Sequence, residues 1–212
     1  MKRNIVLIIT IFLFTKAYAQ HEAKANVYGI ALNTLSVSYE GIINSRNGVN
    51  IGFWYQYIPL NFKHPIEFLS VNYTSKGAFL EYRFYVRKKA HPAVGFWFGS
   101  YTKYTKQSFK DIALFKIINH IFQNDDSISR VDVKKIGIGI ATGYKWIYKD
   151  KVIFGLYAGI GGYIYAVNSL VDNNGDALGY EDAGDLKKKA QFRFGFNVGY
   201  RFGHSKVEND SH

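Results

Sequence analysis

The chain has 212 residues, with 27 Lys and Arg against 16 Asp and Glu, and a formal net charge of +11. It contains 17 Tyr, 17 Phe and 20 Gly, but 3 Pro and 0 Cys. This length suits one domain. The aromatic content argues against disorder, and the lack of Cys excludes disulfides, thiolate metal sites and a Cys nucleophile.

Residues 1–19 read as a secretory signal peptide. Met1-Lys2-Arg3 is a basic head, Ile5 to Phe14 is an apolar run broken by Thr10, and Ala17-Tyr18-Ala19 supplies small residues before a cleavage point at Gln20. The run is too short for a membrane-spanning helix, which needs ~20 residues. No later stretch is long and apolar enough to be one. The mature chain is therefore either exported and soluble or a membrane β-barrel.

From there the dominant signal has period two. Asn26 to Leu32 is the expected first strand, with an outer turn at Asn33-Thr34. Leu35, Val37 and Tyr39 then alternate with Ser36, Ser38 and Glu40. A short turn spans Asn44–Gly48, with Asn47-Gly48 as the hairpin signal. Next, Ile51, Phe53, Tyr55 and Tyr57 alternate with Asn50, Gly52, Trp54 and Gln56. After a long polar stretch at Ile58–Ser75, Leu80, Tyr82 and Phe84 alternate with Phe79, Glu81, Arg83 and Tyr85. Arg87–Pro92 is short. Val94, Phe96 and Phe98 oppose Gly95, Trp97 and Gly99, and a long stretch follows from about Thr105 to Arg130. Ile136 to Trp146, Val152 to Tyr165 and Phe192 to Phe202 repeat the alternation, with a short turn at Tyr148–Lys151 and a long stretch at Asn168–Lys187.

Successive strand side chains point to opposite faces, so each run has an aromatic or aliphatic face and a face of Gly and polar residues. Alternating short and long connections and an even strand count are the pattern of an all-β, eight-stranded antiparallel up-and-down transmembrane β-barrel occupying residues 20–202. Residues 203–212 form a polar tail.

The chain resembles the small eight-stranded outer-membrane barrels of Gram-negative bacteria, the OmpA/OmpX type, which are porin-like in architecture. It is similar in particular to an uncharacterised barrel family whose first hairpin reads like Asn33-Thr34-Leu35-Ser36-Val37-Ser38-Tyr39-Glu40. The closing strand Phe192–Phe202 resembles the signal read by the outer-membrane assembly machinery, although Gly203–His212 follow it here. The resemblance implies the outer membrane as location, and its lipid and lipopolysaccharide as surroundings.

On the polar parity, Glu40, Glu81, Arg83, Lys145, Arg193 and Arg201 form an expected lumen network, with Asn50, Gln56 and Asn197. Such charges have to pair, because an isolated buried charge is costly. A packed polar plug is the ordinary outcome, and a narrow ion path its rival. Glycines on this parity make room for Trp54, Trp97, Tyr157 and Tyr163. Gly137-Ile138-Gly139 lies within a strand and lacks the third Gly of a nucleotide fingerprint.

Lys103, Lys106, Lys134, Lys135, Lys187, Lys188 and Lys189, with Lys76, fall at outer strand ends, where they are candidates to contact lipopolysaccharide phosphates. The apolar stretch 109–122, with Phe109, Ile112, Phe115, Ile118 and Phe122, is a candidate site for an unknown surface partner.

No catalytic, cofactor-binding or metal-binding set is expected. None of the six histidines falls on an expected strand face. Two rivals to a non-enzymatic outer-membrane role follow. A lipid-modifying barrel enzyme would use His64 or His120 near Ser70, Ser108, Asp111 or Asp125. A soluble exported barrel would turn its aromatic parity inward around an apolar ligand. Export and the absence of a reader motif argue against nucleic acid as a partner.

Overall fold

The computed structural model describes residues 20–63, 68–86, 92–110, 128–172, 177–182 and 189–203. Eight strands close on themselves: β1 (Gln20–Asn26), β2 (Thr34–Ile42), β3 (Asn47–Lys63), β4 (Phe68–Tyr85), β5 (Gly95–Lys110), β6 (Ile128–Tyr148), β7 (Val152–Asp172) and β9 (Ala190–Phe202). Each pairs antiparallel with its neighbours in sequence order, and β9 returns to β1. A short additional strand, β8 (Ala177–Asp182), pairs only with the outer end of β7. The fold is a closed eight-stranded up-and-down barrel.

The first hairpin differs from its expected form. The strand is Gln20–Asn26, and Val27–Ala31 is a short helix, α1. The Asn26 side chain caps it, accepting from the Gly29 N–H at 3.1 Å, and Asn33 leaves it with a φ of 53°. The strand count of eight holds, but β1 begins six residues earlier than the apolar run suggested.

Two of the long stretches are largely strand. β3 and β4 pair continuously from Asn47↔Phe84 to Lys63↔Phe68, so Ile58–Ser75 is mostly a hairpin extending beyond the apolar region. β5 and β6 pair as far out as Phe109↔Val131. At the other end the connections are tight. Lys149 and Asp150 both have positive φ, 47° and 60°, which is the two-residue hairpin turn that matches strand twist. The Asn44–Gly48 turn is organised by Asn44, whose Oδ1 accepts from the N–H groups of Arg46 and Asn47 at 2.9 Å each, while Asn47 already pairs in β3.

The wall is inside-out relative to a water-soluble globule. Large apolar side chains stand exposed on strand after strand, among them Leu35, Phe53, Leu80, Phe98, Ile140 (67% exposed), Leu156 and Phe192 (70%). The opposite parity is buried and polar. The aromatic parity thus faces outward, opposite to the inward orientation that a soluble barrel around an apolar ligand would need. At the short-turn end the lumen is closed by Ile42, Tyr85, Ala93, Trp97 and Ile153, each 3% exposed or less.

Candidate functional site

Parity delivers one inward side chain per strand at each level of the barrel, and register decides which of them meet. Glu22 of β1 lies directly opposite Glu40 of β2 and Arg201 of β9, and Asn50 of β3 lies opposite Glu40 and Glu81. The result is one connected buried network above the apolar floor.

Glu40, 0% exposed, is its hub. It accepts from Arg83 Nη1 at 2.8 Å, from Lys145 Nζ at 3.2 Å, from the Tyr85 hydroxyl at 2.6 Å, and from Lys24 Nζ. Glu22 accepts from Lys145 at 2.8 Å and from Arg201 through Nε at 3.0 Å and Nη2 at 2.5 Å. Glu81 accepts from Arg83 Nε at 2.5 Å and from Arg193 Nη1 at 2.9 Å. Asn50, with its amide oriented to satisfy both ends, accepts from Arg83 Nη2 at 3.0 Å and donates to the Tyr39 carbonyl at 3.3 Å.

Aromatic faces complete the packing. The Arg83 guanidinium lies 4.2 Å from the Trp97 ring centroid, and Arg193 lies 4.5 Å from Phe79 and 4.4 Å from Tyr101. Glycines open the space for these rings. A Cβ at Gly143 would stand 2.8 Å from Trp97, and one at Gly77 would stand 2.5 Å from Trp54.

All six residues of the expected lumen network, Glu40, Glu81, Arg83, Lys145, Arg193 and Arg201, are brought into this cluster. Glu22 and Lys24 complete it, and sequence reasoning missed both because it placed the first strand too late. Gln56 stands apart: its amide donates to the Leu32 carbonyl at 3.1 Å, at the outer end near α1. Three carboxylates here meet five cations, Lys24, Arg83, Lys145, Arg193 and Arg201. Every carboxylate is held by charged donors, so none is free to act as a base.

The lysines expected at the rim divide. Lys103 and Lys135 lie on the inward parity, Lys103 over the Trp54 ring at 4.3 Å and Lys135 over Tyr163 at 5.1 Å. Lys106 and Lys134, opposite each other in β5 and β6, share the outward parity of Tyr104 and Ile138. Lys76 lies in β4 opposite Lys106. Lys189 is exposed just before β9, and Lys187 and Lys188 lie outside the described residues.

Asp132 sits opposite Ser108, four residues above Ile136, and pairs with Lys106 at 2.8 Å and Arg130 at 3.0 Å. Burial alone would raise its carboxyl. The hydrogen bonds from Lys106 and Ser108, with the charges of Lys106 and Arg130, outweigh burial and hold it below the usual aspartate value.

Of the five residues named in the proposed partner segment, Phe109 alone is described; it packs against Tyr73 with ring centroids 5.1 Å apart. Ile112, Phe115, Ile118 and Phe122 lie outside the described residues. So do His64, His120, Asp111 and Asp125, while Ser70 lies in β4. His21, contrary to expectation, stands on a strand: it stacks on Tyr39 and Phe202 across the β1 seam. Among the described residues no group of acidic residues and histidines is arranged to hold a metal.

A closed antiparallel barrel with an apolar exterior and an ion-paired interior defines the class of protein. The chain belongs to the family described as protein of unknown function DUF3575, whose model matches residues 4–181. That match runs from residue 4 into β8 and ends before β9. A family of unknown function and an eight-stranded barrel fit the uncharacterised barrel family that the Asn33–Glu40 hairpin resembles. No curated protein matches the chain.

Proposed function

We propose that this protein is a non-enzymatic outer-membrane β-barrel of the OmpA/OmpX type, exported by its cleaved leader, with an envelope-structural or surface-interaction role. The observation that carries the reading is the continuous belt of exposed Leu, Ile, Phe, Tyr and Trp around a barrel whose charges lie inside. In water such a surface would drive association; in a bilayer it is the wall. On β6 the outward apolar set runs from Ile136 to Trp146, and a tilted spanning strand needs ~9–11 residues.

Two further features support a plug rather than a pore. The buried ion network occupies the lower half of the lumen, and the apolar floor of Tyr85, Ala93, Trp97 and Ile153 lies across its short-turn end. An eight-stranded interior is just wide enough to be filled by side chains. In this reading the long connections face outward, Lys106 and Lys134 on the outward parity contact lipopolysaccharide phosphates, and the segment 109–122 meets a surface partner.

Cell fractionation tests this reading. The full-length protein is expected to sediment with outer membranes, to resist high salt and alkaline washing, and to migrate differently before and after boiling. Release into the soluble periplasm would overturn it.

A further inference from the structure

The outer half of the lumen differs in kind from the lower half. Below, each buried charge has an opposite charge within hydrogen-bonding distance. Above, Lys103 and Lys135 turn inward, and no carboxylate among the described residues pairs with either. Among the described residues each lies over an aromatic face, Trp54 for Lys103 and Tyr163 for Lys135.

The register gathers these groups around one glycine. Gly137 lies directly opposite Lys103 on one side and Tyr163 on the other. Lys135 is two residues along the same strand, on the same face. The Gln191 amide oxygen reaches over Gly137, only 2.5 Å from where a Cβ would stand. The next inward glycines, Gly139 and Gly161, lie under the Tyr101 hydroxyl, whose oxygen would stand 2.6 and 2.7 Å from their added Cβ atoms. A β-bulge in β7 falls at this level, where the pairing steps from Ile136↔Tyr165 to Gly137↔Tyr163. Bulges re-aim side chains and recur beside functional sites.

Three of these groups are polar and deeply buried. Gln191 is 4% exposed, and among the described residues neither its amide oxygen nor its nitrogen has a hydrogen-bond partner. Tyr101 is 3% exposed, with no partner for its hydroxyl among the described residues, and Lys135 is 8% exposed. Leaving such groups unpaired is costly, so a fold that needed none of them would have apolar side chains there. Arg193, the nearest inward cation below, is already committed to Glu81.

From this juxtaposition we infer that the outer lumen is a binding site for a phosphate group, free or as a soluble phosphate monoester. Lys103 and Lys135 supply the two positive charges, and the Gln191 amide and Tyr101 hydroxyl supply neutral donors. Two ammonium groups match a dianion, and phosphate carries about −1.5 to −2 charge near neutrality. Ammonium groups bind phosphate oxygens as charge-assisted donors. The inference goes beyond the envelope role, and holds or fails independently of it.

The test titrates the folded full-length mature barrel in zwitterionic detergent with inorganic phosphate and, separately, with glycerol phosphate, by calorimetry. Saturable binding of at least one is expected. Lys103→Met and Lys135→Met are each expected to weaken it at least about tenfold, the cost of removing one charged donor. Lys151→Met, which deletes an exposed charge at the opposite end of the barrel, should leave it unchanged. Gln191→Leu gives a neutral second variant that also weakens binding, and heat-modifiable migration verifies that each variant is folded. No saturable binding by the wild type, or equal affinity in folded Lys103→Met and Lys135→Met, overturns the proposal.

Discussion

Arg201 in the last strand and Glu22 in the first lie directly opposite each other across the seam that closes the barrel, joined through Nε at 3.0 Å and Nη2 at 2.5 Å to the same carboxylate oxygen. The seam thus carries a buried ion pair as well as its backbone ladder. Truncating one partner leaves the other charged in a closed interior. Glu22→Leu is expected to destabilise the folded barrel by about 3–5 kcal/mol. Adding Arg201→Leu should restore part of that loss, with a coupling of about 0.5–3 kcal/mol for residues in direct contact. Urea unfolding followed by the gel shift of the folded form measures both.

Glu40 accepts from four side chains on three strands, Lys24, Arg83, Tyr85 and Lys145, whereas Asp132 accepts from donors at the outer edge. Glu40→Ala should therefore cost about 3–5 kcal/mol and slow assembly, because three buried cations each lose one of their two carboxylate partners and the Tyr85 hydroxyl loses its acceptor. Asp132→Ala should lower the urea midpoint far less, because its two cation partners, Lys106 and Arg130, are each 28% exposed and keep access to water.

Asp132 also sets a pH dependence. Its folded-state value is depressed, so its contribution is fully present above the unfolded aspartate value, near 3.8, and is lost as pH falls through the lower folded value. Amide exchange in the outer ends of β5 and β6 is expected to quicken in strong acid, with the lower barrel unaffected. In Asp132→Asn this acid-triggered step should disappear.

Gly77 in the lumen is expected to be intolerant of any side chain. A Cβ at Gly77 would stand 2.0 Å from the Tyr104 carbonyl oxygen, a backbone atom that cannot move aside, while one at Gly41 meets nothing within 4 Å. Gly77→Ala should abolish the heat-modifiable folded form, and Gly41→Ala should leave it intact.

The barrel was legible because the outward face of most strands is aromatic or β-branched. It was illegible where that face is small. In β1 the outward residues are His21, Ala23 and Ala25, while the inward ones are Glu22, Lys24 and Asn26. Nothing there resembles a lipid-facing strand, whereas Val27–Leu32 is apolar on both parities and imitates one. Asn26, as a helix N-cap, was the local signal that reverses this reading. The same displacement hid Glu22 and Lys24 from the ion network, although Glu40, Glu81, Arg83, Lys145, Arg193 and Arg201 followed directly from parity. The outer hairpin of β3 and β4 went unread because a ladder standing in water needs no apolar face. The bulge that turns Tyr165 outward, beside Ile164, shows no mark in the alternation.

A substitution on the exposed face separates lipid from water as the surrounding medium. Ile140→Lys near the middle of the belt should cost about 2–4 kcal/mol in a bilayer. On a soluble protein the same change at a residue this exposed would be nearly neutral. The folded fraction recovered in vesicles reads the difference.

The most direct measurement uses the two tryptophans that the structure places on opposite sides of the wall: Trp146 exposed on the outer face of β6, and Trp97 buried beneath Arg83. Single-tryptophan variants are reconstituted into vesicles containing brominated lipid. Strong quenching of Trp146 with little quenching of Trp97 is the result expected of a membrane barrel with a packed, charged lumen. Equal quenching of both, or none of Trp146, would contradict it.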